Sequence, residues 1–352
     1  MKPGYKKLFI VMVALILVAC VATPSQSPTS TPVSAPTILS TPTPTSVPTI
    51  LPTPSTSVPL EERLLAAIDV KLPDELVFAK GFIWVKTDSG HVVQVDPATN
   101  SVVGDIKVDT TSWQHDYCQG LGTDGENIWA CSTRGNENFK TIDVVRIDPS
   151  SQTVTATVEV GKIFDQYNMP FLSNHIWVLT DDGSKLVGID TTTNQPSPAI
   201  DLGVRCFQVA ATSSSLLVTC KLDDLILRVD PESMQVTERR TFTRSPWNIV
   251  ATEDGAWVGL GNAVVRLDPE SLNPVATFSG LPGDKGLFAT KEGLWVRLDE
   301  GFLYRIDPVS NQIVEQITSD QRFYNMGSVI VTSDAIWTTA GDDDLLLRIS
   351  LK

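Results

Sequence analysis

LWVRLDEGFLYRIDPVSNQIVEQI, Leu294 to Ile317, decides the fold, because versions of it recur until the chain ends. An apolar residue and Trp295 open it, an alternating strand runs to a turn at Asp307-Pro308, and a second alternating run follows. Aligned on the tryptophan, the copies fall at Ile83-Trp84, Ile128-Trp129, Ile176-Trp177, Leu216-Leu217, Ala256-Trp257, Leu294-Trp295 and Ile336-Trp337. Their spacings are 45, 48, 40, 40, 38 and 42 residues, a period near 42 that marks an array of supersecondary units.

The turn recurs as Asp96-Pro97, Asp148-Pro149, Asp230-Pro231 and Asp268-Pro269, with Asp190-Thr191 in the third unit. Asp accepts a hydrogen bond from its own backbone two residues on and Pro presets the first φ of the turn, so the dipeptide predicts a hairpin. Runs of period two such as VTATVEV, Val154 to Val160, predict the strand that follows. One more apolar strand and turn precede each tryptophan, as in Asn248 to Ala251 and then Thr252 to Gly255. Four antiparallel strands cannot cover both their faces alone, whereas seven such sheets packed radially can. The predicted fold is therefore an all-β, seven-bladed β-propeller. Residues 60 to 352 supply about 42 residues per blade. The last unit stops at Arg348-Ile349-Ser350-Leu351-Lys352, before its fourth strand, while LAAIDV, Leu65 to Val70, matches VGDIKV, Val103 to Val108. An N-terminal strand is expected to complete the last blade.

The pattern of IWV, a strand, RIDP and a following alternating strand is clearest in VVRIDPSSQTVTATVEVG, Val144 to Gly161. It resembles the YVTN (surface-layer or YncE-like) and streptogramin-lyase-like families of seven-bladed propellers over nearly all of residues 64 to 352. Related families include binding proteins, scaffolds and one lyase class, so the resemblance implies a fold and leaves activity open. The lyases use a His and a Glu on the channel face with a divalent cation. The later blades, which should supply that pair, hold no histidine.

Ahead of the repeats, MKPGYKKLFIVMVALILVAC has a basic start, twelve apolar residues from Leu8 to Ala19, and Leu17-Val18-Ala19-Cys20. A membrane span needs roughly 20 residues, so residues 1–19 read as a signal peptide. The last four residues resemble the lipobox of bacterial lipoproteins, which implies lipidation of Cys20 and a membrane tether at that residue. Residues 20–59 are almost entirely Thr, Ser, Pro and small apolar residues, with PTIL at Pro36 to Leu39 and again at Pro48 to Leu51. That composition cannot bury a core and predicts a disordered, extended linker, so the propeller is placed at 60–352. The expected location is outside the cytoplasm, tethered to the cell membrane or the outer membrane. There the remaining cysteines, Cys118, Cys131, Cys206 and Cys220, favour disulfides. Three connectivities are open, and Cys118 with Cys131 and Cys206 with Cys220 is the expected one because each pair flanks one hairpin. No CxxC or paired-His spacing suggests a metal. From residue 60 on, 24 basic against 41 acidic residues leave a net charge of −17, which repels phosphate backbones and excludes nucleic acid as a partner.

Residues that repeat in nearly every blade read as frame. This holds for the six repeated tryptophans, and for Arg146, Arg228, Arg266, Arg305 and Arg348, which sit two positions before the turn on the same strand face. Acidic pairs such as Asp181-Asp182 and Asp223-Asp224 match no calcium loop and read as solvated turns. Function is expected where blades differ. Between the tryptophan and the turn Asp, the second blade carries 19 residues where others carry 11 to 13, and the surplus is RGNENFKT, Arg134 to Thr141. The connections entering blades two and three are also the longest, DTTSWQHDY, Asp109 to Tyr117, and GKIFDQYNMP, Gly161 to Pro170.

Loops between second and third strands and connections between blades emerge on one face, here the loop face. It gathers Trp113, His115, Tyr117, Arg134, Asn138, Phe139, Phe164, Tyr167, Asn168, Arg205, Arg244, Trp247, Arg322 and Tyr324 as candidate binding residues. Aromatic platforms with Arg and Asn suit recognition of an envelope protein, peptide or glycan. His115 beside Asp116 is the single histidine of that face and the one candidate general base, but no GxSxG, HExxH or glycine-rich phosphate loop accompanies it. The sequence thus favours a monomeric, cofactor-free binding protein over its alternative, a metal-assisted lyase or hydrolase with His115 as base and a divalent cation as cofactor.

Overall fold

The computed structural model describes residues 49–50, 54–109, 118–136, 139–161, 168–253, 255–281, 286–290, 292–298, 302–320 and 327–352. Seven antiparallel sheets form a ring. Blade one, for example, runs from its inner strand Pro73–Ala79 through Phe82–Thr87 and His91–Asp96 to its outer strand Ser101–Lys107. The seventh, Val329–Val331, Ala335–Ala340 and Leu345–Ser350, takes its outer strand from the other end of the chain. Leu64–Asp69 pairs antiparallel with it, Ala67 opposite Leu347 and Ile68 opposite Leu346. The closure legible in the LAAIDV match is therefore the closure of the ring.

The second strand of each blade is shielded on both faces, so His175–Thr180 and Leu216–Cys220 are apolar almost throughout. Outer strands have one wet face, and Thr153–Gly161 accordingly alternates. Among the described residues the buried apolar side chains form seven clusters, one at each contact between neighbouring blades. The repeated tryptophans sit in them, each at most 3% exposed. Their reading as frame holds.

The repeated arginines are also frame. Arg146, Arg266, Arg305 and Arg348 each lie opposite a tryptophan on the neighbouring strand. Each guanidinium stacks over that ring, at 5.7, 5.5, 5.9 and 5.3 Å from its centroid. Three of them then reach into the next blade's turn. Arg146 Nη1 donates to Asn194 Oδ1 at 3.2 Å, Arg266 to the Pro308 carbonyl and to Asn311 Oδ1, and Arg348 to the Pro97 carbonyl at 2.6 Å and Asn100 Oδ1 at 2.8 Å. Arg228, opposite Leu217, does the same to Glu270. Arg305 instead pairs within its own blade with Glu315, which also holds Arg63 of the closing segment at 2.8 Å. The turns themselves are tied as the Asp-Pro reading requires: Asp148 Oδ1 accepts from the backbone N–H of Ser150 and Ser151. Those hydrogen bonds hold its carboxyl below the usual range.

Two parts of the sequence reading are corrected. The expected linker was to run free to residue 59, yet Ser57–Pro59 pairs parallel with the outer strand of blade six, and Thr49–Ile50 pairs parallel with that of blade five. An outer strand leaves a row of open backbone groups, and a Pro- and Thr-rich extended segment can dock there because it needs no core of its own. The surplus of blade two, read as a loop, is mostly strand. Ile128–Asn136 and Phe139–Asp148 stay paired out to Asn136 opposite Phe139, so the residues extend a hairpin beyond the rim of its neighbours.

Leu64–Asp69 supplies a full strand to blade seven and Ile68 packs at the contact between blades seven and one. Deleting residues 60–72 is therefore expected to lower the melting temperature of the whole ring in a single cooperative transition. A melting curve that matches the intact chain would refute closure by this strand.

Candidate functional site

The described part of the loop face is richest at the entry to blades four and five. Arg205 and Phe207 lie on the connection entering blade four, Lys221 in its second-to-third-strand loop, and Trp247 at the start of blade five's inner strand, Pro246–Thr252. Phe207 and Trp247 are tilted at 36° with centroids 5.6 Å apart. Lys221 Nζ sits 3.1 Å from the Trp247 centroid and 4.2 Å from that of Phe207, and the Arg205 guanidinium also covers the Phe207 ring, at 5.4 Å. Two aromatic rings interleaved with two cations are held in one place. The Cys206–Cys220 disulfide, S–S 2.04 Å, fastens the connection to the end of Leu216–Cys220 beneath them.

A second fastening lies at the entry to blade two. Cys118 is bonded to Cys131, so both expected pairs are formed, and a bridge across so short a loop contributes about 3 kcal/mol. Beside it Lys86 Nζ and Asp109 Oδ2 form an ion pair at 3.1 Å, both side chains at most 4% exposed. Asp109 Oδ1 also accepts from the backbone N–H of Thr133. Removing either partner would leave the other charge buried and uncompensated. The pair pins the start of the connection that leads to Trp113.

Of the candidate binding residues, Asn168, Arg205, Arg244 and Trp247 are described. Arg205 and Trp247 meet in the cluster above. Arg244 is exposed and packs against Gly261, where a Cβ would come 3.3 Å from its Cδ. Asn168 bridges to Leu121 and lines the central channel. The backbones of Arg134 and Phe139 lie in the extended hairpin, and their side chains are outside the described residues, as are Trp113, His115, Asp116, Tyr117, Asn138, Phe164, Tyr167, Arg322 and Tyr324. Cys20 is outside them as well. Among the described residues no three His, Cys, Asp or Glu side chains converge to hold a metal, and no helix is long and apolar enough to cross a membrane. His91, expected in a turn, opens the third strand of blade one and bonds Asp105 of its outer strand, and His175 opens the second strand of blade three and bonds the Ser173 carbonyl.

The sequence reading missed the channel. The inner strands enclose a cavity of about 470 Å³ along the ring axis, and Asp74 and Glu75 are the ionisable groups among its described lining. Ser328 Oγ donates to Glu75 Oε1 at 3.2 Å. Burial outweighs that bond and a backbone one, and raises the Glu75 carboxyl from 4.5 to about 7.

No protein-family model and no curated protein matches the chain. Among solved structures it is similar to Kuenenia stuttgartiensis hydrazine synthase, with a TM-score of 0.60 at 13% identity, over 80% of this chain and 96% of that one. At that identity the likeness speaks for the propeller fold alone.

Glu75 has a distinct stability signature. Its folded-state carboxyl holds the proton up to about 7, while in the unfolded chain it ionises near 4.5. The contribution is therefore full below the lower value and lost as pH rises toward the upper one. Compared with wild type, Glu75→Gln is expected to gain on the order of 2 kcal/mol more in urea unfolding at pH 8 than at pH 5. An equal difference at both pH values would show that Glu75 ionises normally.

Proposed function

We propose that this protein is an exported, lipid-anchored β-propeller that recognises an envelope protein, peptide or glycan on its loop face. The carrying observation is Trp247, half-buried on this face, packed against the buried Phe207 and flanked by Lys221 and Arg205, with the Cys206–Cys220 disulfide fixing the connection. Aromatic surface with Arg at its edge is the composition of binding hot spots, since two-torsion rings bury large area at small entropic cost. The extended hairpin of blade two, Ile128–Asn136 and Phe139–Asp148, emerges on the same face, and Trp113 belongs in sequence to the connection that enters that blade. Two disulfides in the described chain fit an oxidising compartment, as an exported protein requires. The signal segment and Cys20 support the lipid anchor.

Two experiments test the reading. Pull-down from solubilised envelope should recover a partner with wild type and lose at least tenfold of it with Trp247→Ala or Trp113→Ala, a cost in the hot-spot range. Equal recovery of every partner by all three proteins would reject this face. In cells fed labelled palmitate, wild type should take up the label and fractionate with membranes, while Cys20→Ser should do neither. An unlabelled wild-type protein would remove the anchor from the proposal.

A further inference from the structure

One position repeats around the channel without repeating in chemistry. Nine residues before the tryptophan position of each blade stand Glu75, Gly120, Asn168, Gln208, Asn248, Gly286 and Ser328, and all but Gly120 line the cavity. Seven-fold equivalence places them at one level, where the inner strands begin at the loop face. The collar therefore holds one carboxyl, three amides, one hydroxyl and two glycines. Two residues further along each strand, at Val77, Ala210, Val250, Phe288 and Ile330, the lining is apolar. Space at the glycine positions is set by close backbone approach rather than left to chance: a Cβ on Gly286 would come 2.3 Å from the Gly327 carbonyl oxygen.

A core position repeats because packing repeats. This one varies, and five of its seven residues are polar. Glu75 accepts one hydroxyl and one backbone hydrogen bond, and burial outweighs both, so its charge is under-compensated. No described lysine or arginine lines the cavity. A body of net charge −17 beyond the linker concentrates cations around it.

We propose that the channel is a second binding site, for a small primary ammonium compound with an apolar body. The ammonium group sits in the collar with Glu75 as counter-ion, and its remaining hydrogens go to amide oxygens of Asn168, Gln208 or Asn248. The apolar body extends down the channel between Val250 and Phe288. A cavity of about 470 Å³ is within the range that takes small organic ligands. The acceptor-rich collar selects a primary ammonium over a quaternary one, which has no hydrogens to donate. The site adjoins the loop-face aromatic cluster, Gln208 following Phe207 and Asn248 following Trp247, but takes its own ligand whether or not that surface binds a partner.

Calorimetric titration of the full propeller with butylamine, hexylamine and octylamine hydrochlorides, and with hexanol as the uncharged control, tests the proposal. At least one amine should bind saturably with one-to-one stoichiometry. Glu75→Gln, which keeps the side-chain shape, should weaken that amine at least tenfold, and Ala251→Phe, which fills the apolar part, should abolish it. Val309→Ala, at an exposed turn of blade six, should leave it unchanged. Three outcomes would overturn the proposal: no saturable binding of any amine, unchanged affinity in Glu75→Gln, or hexanol binding as tightly as hexylamine. Should Glu75→Gln fail to fold, Ser328→Ala and Ala251→Phe together decide, and binding that survives both is likewise disproof.

Discussion

Closure of the ring rests on one repeated contact: an arginine that lies on its own blade's tryptophan and ends in the next blade's turn. The two halves of the contact depend on each other. The indole face gives the long stem and planar head a surface to lie on, which removes much of the rotamer entropy that a free arginine would lose on bonding. The turn, in turn, presents a carbonyl and an asparagine side chain because the Asp-bonded loop places a left-handed residue at Asn100, Asn194 or Asn311. Where one half is missing the structure substitutes. Blade one carries Gln94 opposite Trp84, and Gln152 of the next turn donates to it at 2.6 Å. Blade three has Gly188 opposite Trp177, and a Cβ there would lie 3.0 Å from the indole. The last contact, Arg348 to Asn100, spans the junction of first and last blades, so the same chemistry that joins neighbours also shuts the circle.

That economy explains what could be read from the sequence. Trp295 and Asp307 are visible because each is part of a contact made many times, and Arg305 because it keeps the stacking half of that contact, so repetition at a fixed offset separates packing from chemistry without any coordinates. The closing strand was legible for the same reason, since LAAIDV keeps the spacing of an outer strand. The disulfides followed from hairpin topology. What failed is what does not repeat or has no periodic signature. Ser57–Pro59 lies on the edge of blade six through backbone hydrogen bonds, and a segment of Pro, Ser and Thr looks the same whether it docks or floats. Arg134 to Thr141 was visible as a surplus in count, but counting cannot separate a loop from two longer strands.

The channel illustrates a different limit. Glu75 was passed over because a single acid near the start of a strand is unremarked among 41 acidic residues. It acquires meaning only when the same offset is read in all seven blades at once, and that offset becomes informative only once the inner strand is known to face a cavity. The tryptophan alignment contained the register throughout. The structure added the knowledge of which register position looks inward.

The distribution of constraint argues for the loop face as the working side. Both disulfides and the buried Lys86–Asp109 pair lie where connections enter blades two and four. The opposite face is held by Asp-centred turns and arginines that are common to most blades. A ring already closed by its repeats needs no covalent bond at two of seven entries for its own integrity, and equal need would have placed one at each. Fastening the base of a connection does little for the blade but a great deal for the side chains it carries, because it removes their backbone freedom before any partner arrives. In sequence the entry to blade two carries Trp113, and the entry to blade four carries Phe207, which packs on Trp247, so each fastened connection bears a large ring. The constraint is spent where pre-organised recognition gains from it.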